Sequence, residues 1–421
     1  MHQLACVLLV CVTCMYWAMA MLILLLRVVD PHMRSMARYG ARYGTGFAAA
    51  EDTNNNGSVA AGTRAAVHAG CKARGNPTEY GGWLWSSVAV AVNVLESSIL
   101  CRVRVSRKCG FCAFYLTGMV SSLLLWQLCV TPFHTATNTL SARFSTFMLG
   151  GLLRDAAVCY GLLPLVAFFM HCAVRLWECL YVHRFRGGSQ DTVTLFAALA
   201  GCSFYVFAVI SSSPVVCRVA HAVASNLAVP RALGGVGESH FYPVVPVTTV
   251  TAFILHLFLQ GLQGQHHGIL ARLREARTPS SNSLEASILD GKQHAYNVRP
   301  SVEASTETSS FFYRFPNTSL FAYVLEPHYT CEILMYAVNA VSLWTLIFYD
   351  TAPILTLWQS KGVYSALLLA TSYAAPLGVV LFSLFNLAIT ASEHRRFWNQ
   401  LNEKRERKER VPPWNLFYRV W

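Results

Sequence analysis

The sequence predicts an all-α integral membrane protein of about seven transmembrane helices, with a luminal N-terminus and a cytosolic C-terminus. Hydrophobic residues make up 54% of the 421 and charged ones 13%, with a mean hydropathy of +0.40, too apolar for a soluble chain of this length. The apolar residues gather into runs at roughly 4–26, 111–132, 156–182, 191–213, 244–262, 327–348 and 364–389, close to the ~20 residues needed to cross a hydrocarbon core. Lys and Arg collect at alternate ends of those runs, as bilayer orientation requires.

The first run has no positive residue before it and Arg27, Arg34 and Arg38 after it. A cleaved signal peptide carries the opposite charge flank and a shorter apolar core, so this run reads as a retained first span. Cytosolic connections then hold Arg42, Arg102, Arg104, Arg107 and Lys108, next Arg184 and Arg186, next Arg272, Arg274 and Arg277, and finally the tail from Arg395 to Arg410. The opposite connections hold only Arg143, Arg154, Arg218, Arg231 and Lys361. That asymmetry fixes the count at seven and the orientation. Trp83 to Leu100 is apolar, yet an extra span there would invert everything downstream; it reads as an interfacial or re-entrant helix.

Three regions follow: membrane helices with a substrate cavity over 1–277, an insertion over 278–310, and a C-terminal unit over 311–421. Residues 48–62, rich in Asn, Gly and Ala, and 278–310, rich in Ser, Thr and Glu, are too polar to bury a core and read as flexible. The sequons at Asn56 and Asn317 fall on the cytosolic side and are expected to stay unused. The net charge of +12 is spread over membrane-flanking clusters, so it predicts contact with membrane lipids and not nucleic acid. Many of the 14 cysteines sit inside apolar runs, which argues against a disulfide framework. Cys109 and Cys112 have metal or redox spacing but no second ligand pair, and no metal site is expected.

Polar residues inside apolar helices are the places to look for chemistry, because hydrocarbon penalises them. Glu326, Pro327, His328, Tyr329 and Glu332 open the sixth span; Pro327 suits a first helical turn, while Glu332, deeper, needs a partner such as an amide or ribose. Gln263, His267, Leu270 and Arg274 fall on one face of the fifth span's continuation, where arginine is able to pair with a phosphate. A membrane-flanking basic helix reads equally well there. His171, Arg175 and Glu178 end the third span, as an intrahelical ion pair or as a site in which His171 meets a substrate. Asn386 to Trp398 closes the last span with His394, Arg395 and Arg396, either anchoring on headgroups or binding a dinucleotide phosphate. There is no Gly-rich phosphate loop, Walker sequence or G-x-S-x-G, so any nucleotide must be held by membrane helices.

Together these segments resemble the steroid 5α-reductase family, and within it the polyprenol reductase branch. The likeness is carried by Met36 to Gly40, Val105 to Lys108 leading into Phe111 to Tyr115, Arg175 to Val182 (RLWECLYV), Gln263 to Arg274, Tyr313 to Pro316, Phe321 to Val324, Pro327 to Glu332 and Asn386 to Trp398. Gln263 and His267 stand where the steroid enzymes tend to have Asn and Asp, which favours the polyprenol branch. The third span has Cys172 beside His171 and no match to the steroid enzymes' catalytic Tyr.

The resemblance implies an NADPH-dependent reductase of the endoplasmic reticulum membrane that saturates the α-isoprene unit of a long-chain polyprenoid for dolichol synthesis and protein glycosylation. It assigns Gln263, His267 and Arg274 to one part of the dinucleotide, Tyr329 and Glu332 to the nicotinamide or its ribose, and Asn386, His394 and Arg396 to the phosphates. His171 becomes the residue that polarises the substrate carbonyl or relays a proton. Hydride adds to a carbon–carbon double bond when a conjugated carbonyl accepts the developing charge, so the immediate substrate is expected to be the aldehyde. A steroid or other enone reductase would share the cofactor site, a transporter would bind no NADPH, and a methyltransferase of similar helical design would lack the Gln263 to Arg274 pattern.

Overall fold

Seven long helices with apolar outer faces and an aromatic core between them make up most of the chain. The computed structural model describes residues 2–29, 90, 98–137, 148–183, 185, 191–228, 244–275, 315–361, 363–403 and 410–419. The two expected insertions and most of the 83–100 stretch lie outside the described residues. The elements in chain order are α1 (His2–Val29), α2 (Ile99–Arg102), β1 (Arg104–Ser106), α3 (Arg107–Thr137), α4 (Met148–Trp177), β2 (Thr192–Thr194), α5 (Leu195–Ala228), α6 (Val244–Glu275), α7 (Pro327–Lys361) and α8 (Val363–Glu403). All but α2 among these helices are long and apolar enough to cross a membrane, so the chain is a multi-span all-α membrane protein.

Its outer faces repeat apolar residues at helical spacing. Met15, Met19 and Leu22 on α1, Leu116, Val120 and Leu123 on α3, and Ile254 and Phe258 on α6 are all exposed. In water this pattern would be an error; against lipid it is the required surface. Inside, an aromatic core joins Trp17, Phe114, Phe168, Phe204, Tyr205 and Tyr336 from five helices. Close approach is bought locally by glycine: a Cβ on Gly201 would lie 2.4 Å from the Phe114 ring, and one on Gly378 2.5 Å from Trp17. Trp17 Nε1 donates to Ser211 Oγ at 3.0 Å, and the Asn339 amide donates to Pro164 O at 3.1 Å, so polar side chains also cross-link helices.

The fourth expected span starts at Leu195 because the Thr-Val-Thr before it forms β2, antiparallel to β1 with Val193 opposite Val105. Thr194 Oγ1 accepts from the Ala197 N–H at 3.1 Å and so caps α5. Arg107 meets Asp191 at 3.1 Å and ties the starts of α3 and β2 together. The last turns of α1, α4, α6 and α8 and the first turns of α3, α5 and α7 therefore share one end of the bundle. Every polar cluster described below lies at that end.

Candidate functional site

Below Trp177, α4 widens into a π turn over Glu178–Val182, closed by the His183 N–H on Glu178 O at 2.7 Å. Such turns often mark functional positions. Here it brings the His183 ring to 4.9 Å from that of His267 on α6. Arg175 Nη1 donates to Glu178 Oε2, and both side chains are almost fully buried. Gly264 on α6 makes room for the carboxylate, since a Cβ there would stand 3.2 Å from Glu178 Oε1. His267 Nδ1 lies 2.8 Å from Glu178 Oε2 and 2.7 Å from Arg175 Nη1. One ring nitrogen either donates to the carboxylate or accepts from the guanidinium, so the triad has alternative proton arrangements.

Arg175 Nη2 reaches Tyr115 on α3 at 3.1 Å. Guanidinium has donors only, so the phenolic oxygen accepts and its O–H remains to be donated elsewhere. Tyr115 is thus a buried, oriented O–H donor beside a fixed positive charge.

A second line of hydrogen bonds has a readable direction. Gln263 Nε2 donates to Glu332 Oε2 at 3.1 Å and lies 3.3 Å from His328 O. Gln260 Nε2 donates to Gln263 Oε1 at 3.4 Å, and Gln260 Oε1 meets His171 Nδ1 at 2.6 Å. Starting from the carboxylate, each amide must face one way, so His171 donates from Nδ1 and shows an acceptor at Nε2. It donates there only once the ring is protonated. His171 Nε2 and Glu178 Oε1 are buried and have no hydrogen-bond partner, and the same holds for both ring nitrogens of His256 and of His266. Buried polar atoms normally find one, so those at the inner network are open to a polar ligand.

Nearer the mouth the polar groups are bound to each other. Arg27 on α1 donates to Asn386 Oδ1 at 2.9 Å and to Glu393 Oε2 at 3.0 Å, both on α8. Glu326 Oε1 meets His394 Nδ1 at 2.6 Å, and its other oxygen is 3.5 Å from His328 Nδ1. A strap over 410–419 closes this end. The Leu325 N–H donates to Trp414 O at 2.8 Å and the Glu326 N–H to Asn415 O at 3.1 Å, while Arg395 donates to Asn415 Oδ1 and Pro412 O. Leu416 is fully buried against Ile333 and Ala391.

Of the residues singled out in the sequence, Gln263, His267, Glu332 and His171 converge on the inner network. Tyr329 is half-buried, with its ring 4.3 Å from that of His328 and 6.2 Å from His394. Asn386 and His394 belong to the mouth. Arg396 is exposed, one residue round the helix from Arg395. Arg274 lies in the last turn of α6, and its side chain is outside the described residues. The Glu332 partner is the Gln263 amide, and Arg175 and Glu178 form an intrahelical ion pair whose side chains are buried among the helices. Tyr115, Gln260 and His328 complete the network without having been assigned a role. Tyr115 closes the Phe111 to Tyr115 stretch that carries part of the family likeness but drew no role from it, whereas Gln260 is one turn before Gln263 on the same face.

Glu178, His183 and His267 bring potential metal-ligand atoms within 4.8 Å of one another. Arg175 already occupies Glu178 Oε2 and stands against His267, so a like charge opposes a cation there. Comparison with protein-family models, curated proteins and solved structures gave no match.

Proposed function

We infer that the chain is an NADPH-dependent reductase of an α,β-unsaturated polyprenoid, acting at the cytosolic end of its bundle in the endoplasmic reticulum membrane. The observation that carries this is the Tyr115–Arg175–Glu178–His267 cluster, a directed proton donor beside a buried cation in a membrane-spanning protein. Polar residues at such depth are costly unless a ligand or reaction uses them. Arg27, Arg102, Arg104, Arg107 and Lys108 flank the same end, which favours a cytosolic orientation for it and a luminal N-terminus.

The inner network fits a nicotinamide and ribose: the Glu332 carboxylate, held by Gln263, accepts hydroxyls or amide protons, and Glu178 Oε1 in the same network is buried without a partner. Arg274, Tyr329 and Arg396 are the residues left for the remainder of the dinucleotide, while Asn386 and His394 are taken up by Arg27 and Glu326. When bound, NADPH supplies a hydride. The chain's own residues then have two tasks. Tyr115 holds the carbonyl oxygen of the substrate by its O–H and gives up the proton that completes saturation, while Arg175 stabilises the phenolate left behind. One proton from the aqueous end of the bundle, passed through His267, restores the Tyr115 donor after each turnover. The apolar helices around the cluster keep bulk water away from it.

NADPH oxidation by purified protein given polyprenal, polyprenol and a steroid enone tests this. Tyr115→Phe is expected to lower kcat by about 100-fold or more with unchanged NADPH affinity, and Glu332→Gln to weaken NADPH binding. Turnover on the steroid alone would move the chain to a different enone substrate. No NADPH binding by the wild type would remove the reductase reading altogether.

A further inference from the structure

Tyr115 gives up one proton in each turnover and is only 4% exposed, so the replacement has to travel through protein. Arg175 stands beside it but is no carrier, because a guanidinium keeps its protons. His267 meets the other nitrogen of the same guanidinium fork, and an imidazole both takes and gives a proton. It is buried as well, and a neighbour must connect it to water. Two imidazoles pack against it, His183 at 4.9 Å and His328 at 5.1 Å between ring centroids. His328 is buried and leads outward by Glu326, at 3.5 Å, and then His394, a route of several transfers in a row. His183 is only partly buried and sits where the chain leaves α4.

The π turn is what delivers His183. Five residues on from Glu178, a side chain of an ordinary α-helix would lie about 140° round the axis; closing the His183 N–H on Glu178 O turns the imidazole back toward the carboxylate. A ring nitrogen of His183, one of His267 and an oxygen of Glu178 accordingly lie within 4.8 Å of one another, a span that one hydrogen-bonded water or a small ring rotation closes. Glu178 Oε1, buried without a partner, is available to such a bridge. Cys179 Sγ, 3.6 Å from His183 Nδ1, and the Phe185 ring, at 5.9 Å, steady the imidazole. Resting on the reductase reading above, we propose that His183 is where protons enter this site: it takes one from water and passes one to His267, which reprotonates Tyr115. A neutral imidazole accepts at one nitrogen as it gives from the other, so no buried cation persists. Arg175 opposes a resident metal ion but not this transfer, because the proton moves when a phenolate has added a negative charge beside it. The proton taken from water replaces the one left on the saturated product, and nothing else is gained or lost.

The test follows NADPH oxidation with polyprenal in H₂O and D₂O, with and without added imidazole, in wild type and His183→Phe, which keeps a ring and carries no proton. His183→Asn takes its place should that exchange prevent folding. The variant is expected to lose about tenfold or more in kcat, to show a larger solvent isotope effect than wild type, and to recover most of its rate with imidazole, its NADPH Kd unchanged. A merely structural role would move neither the isotope effect nor the rescue. Full activity in the variant, or a loss that imidazole does not restore and that leaves the isotope effect as in wild type, overturns the proposal. The same signature in Glu326→Gln, with none in His183→Phe, overturns it too and puts the entry at the mouth. Wild type that oxidises no NADPH removes the reductase reading and this one with it, whereas normal wild-type turnover with an unresponsive His183→Phe removes this one alone.

Discussion

The two polar clusters at the closed end of the bundle are built from the same residue types and differ in whether their partners compete. At the mouth, Arg27 donates to Asn386 and Glu393 from different nitrogens, Glu326 takes His394, and Arg395 fastens the strap, with Glu393 Oε1 left over. In the inner cluster, Glu178 and His267 both meet the one nitrogen Arg175 Nη1 and each other, and His171 Nε2 and Glu178 Oε1 are left over. Networks with one arrangement of partners are rigid, whereas one with competing arrangements is able to change its protons. The mouth is therefore assigned as the fastening and the inner cluster as the working part. Substitutions at the mouth should cost stability, and those inside should cost activity as well.

The largest effect is expected at Arg175. Arg175→Met leaves the Glu178 carboxylate buried without its counter-charge, a loss of about 3–5 kcal/mol, read as a collapse of the folded fraction on size exclusion in detergent. Adding Glu178→Gln should recover much of that fold, because the stranded charge is gone. The double variant should still be inactive, since Tyr115 has lost its cation. A double variant as unstable as the single would mean that packing, and not charge, holds this end of α4.

Arg27→Ala comes next. Losing hydrogen bonds from a charged donor costs about 1.5–3 kcal/mol, and thermal unfolding should report it. Turnover per folded molecule should stay near wild type. Loss of NADPH affinity with stability intact would mean that Asn386 and Glu393 face a ligand, and the division between mouth and interior would have to be redrawn.

How much of this was legible follows from what each feature depends on. The long helices were readable because hydrocarbon thickness imposes a length on apolar runs, and α7 begins at Pro327 as its first-turn chemistry requires. The β1–β2 pair was not, because three residues of Thr-Val-Thr carry no strand pattern of their own. Spacing made Arg175 and Glu178 a pair, but their depth depends on α6 passing close at Gly264, a tertiary fact. Tyr115 sits in Phe-Cys-Ala-Phe-Tyr-Leu near an expected membrane boundary, where aromatic residues are ordinary, so the stretch counts toward the family likeness without singling out its tyrosine. Arg396 looked equivalent to Arg395, yet one residue on a helix is about 100° of rotation, enough to send one to the strap and the other outward.

The smallest effect is expected where the strap meets α7. Thr330 Oγ1 donates to Leu416 O at 2.5 Å, one turn from Glu326 and its bond to His394. Thr330→Val keeps the shape and removes the donor, leaving a buried carbonyl short of a partner at a cost of about 1 kcal/mol. Leu416 itself remains packed on Ile333 and Ala391, so the strap should stay down and global melting should shift only slightly. The sharper readout is local: amide exchange over Leu325 and Glu326, whose N–H groups are bonded to Trp414 and Asn415, should quicken while exchange along α4 and α6 does not change. Faster exchange at α6 as well would show that the mouth holds the inner cluster in place, so that fastening and working part form one cooperative unit.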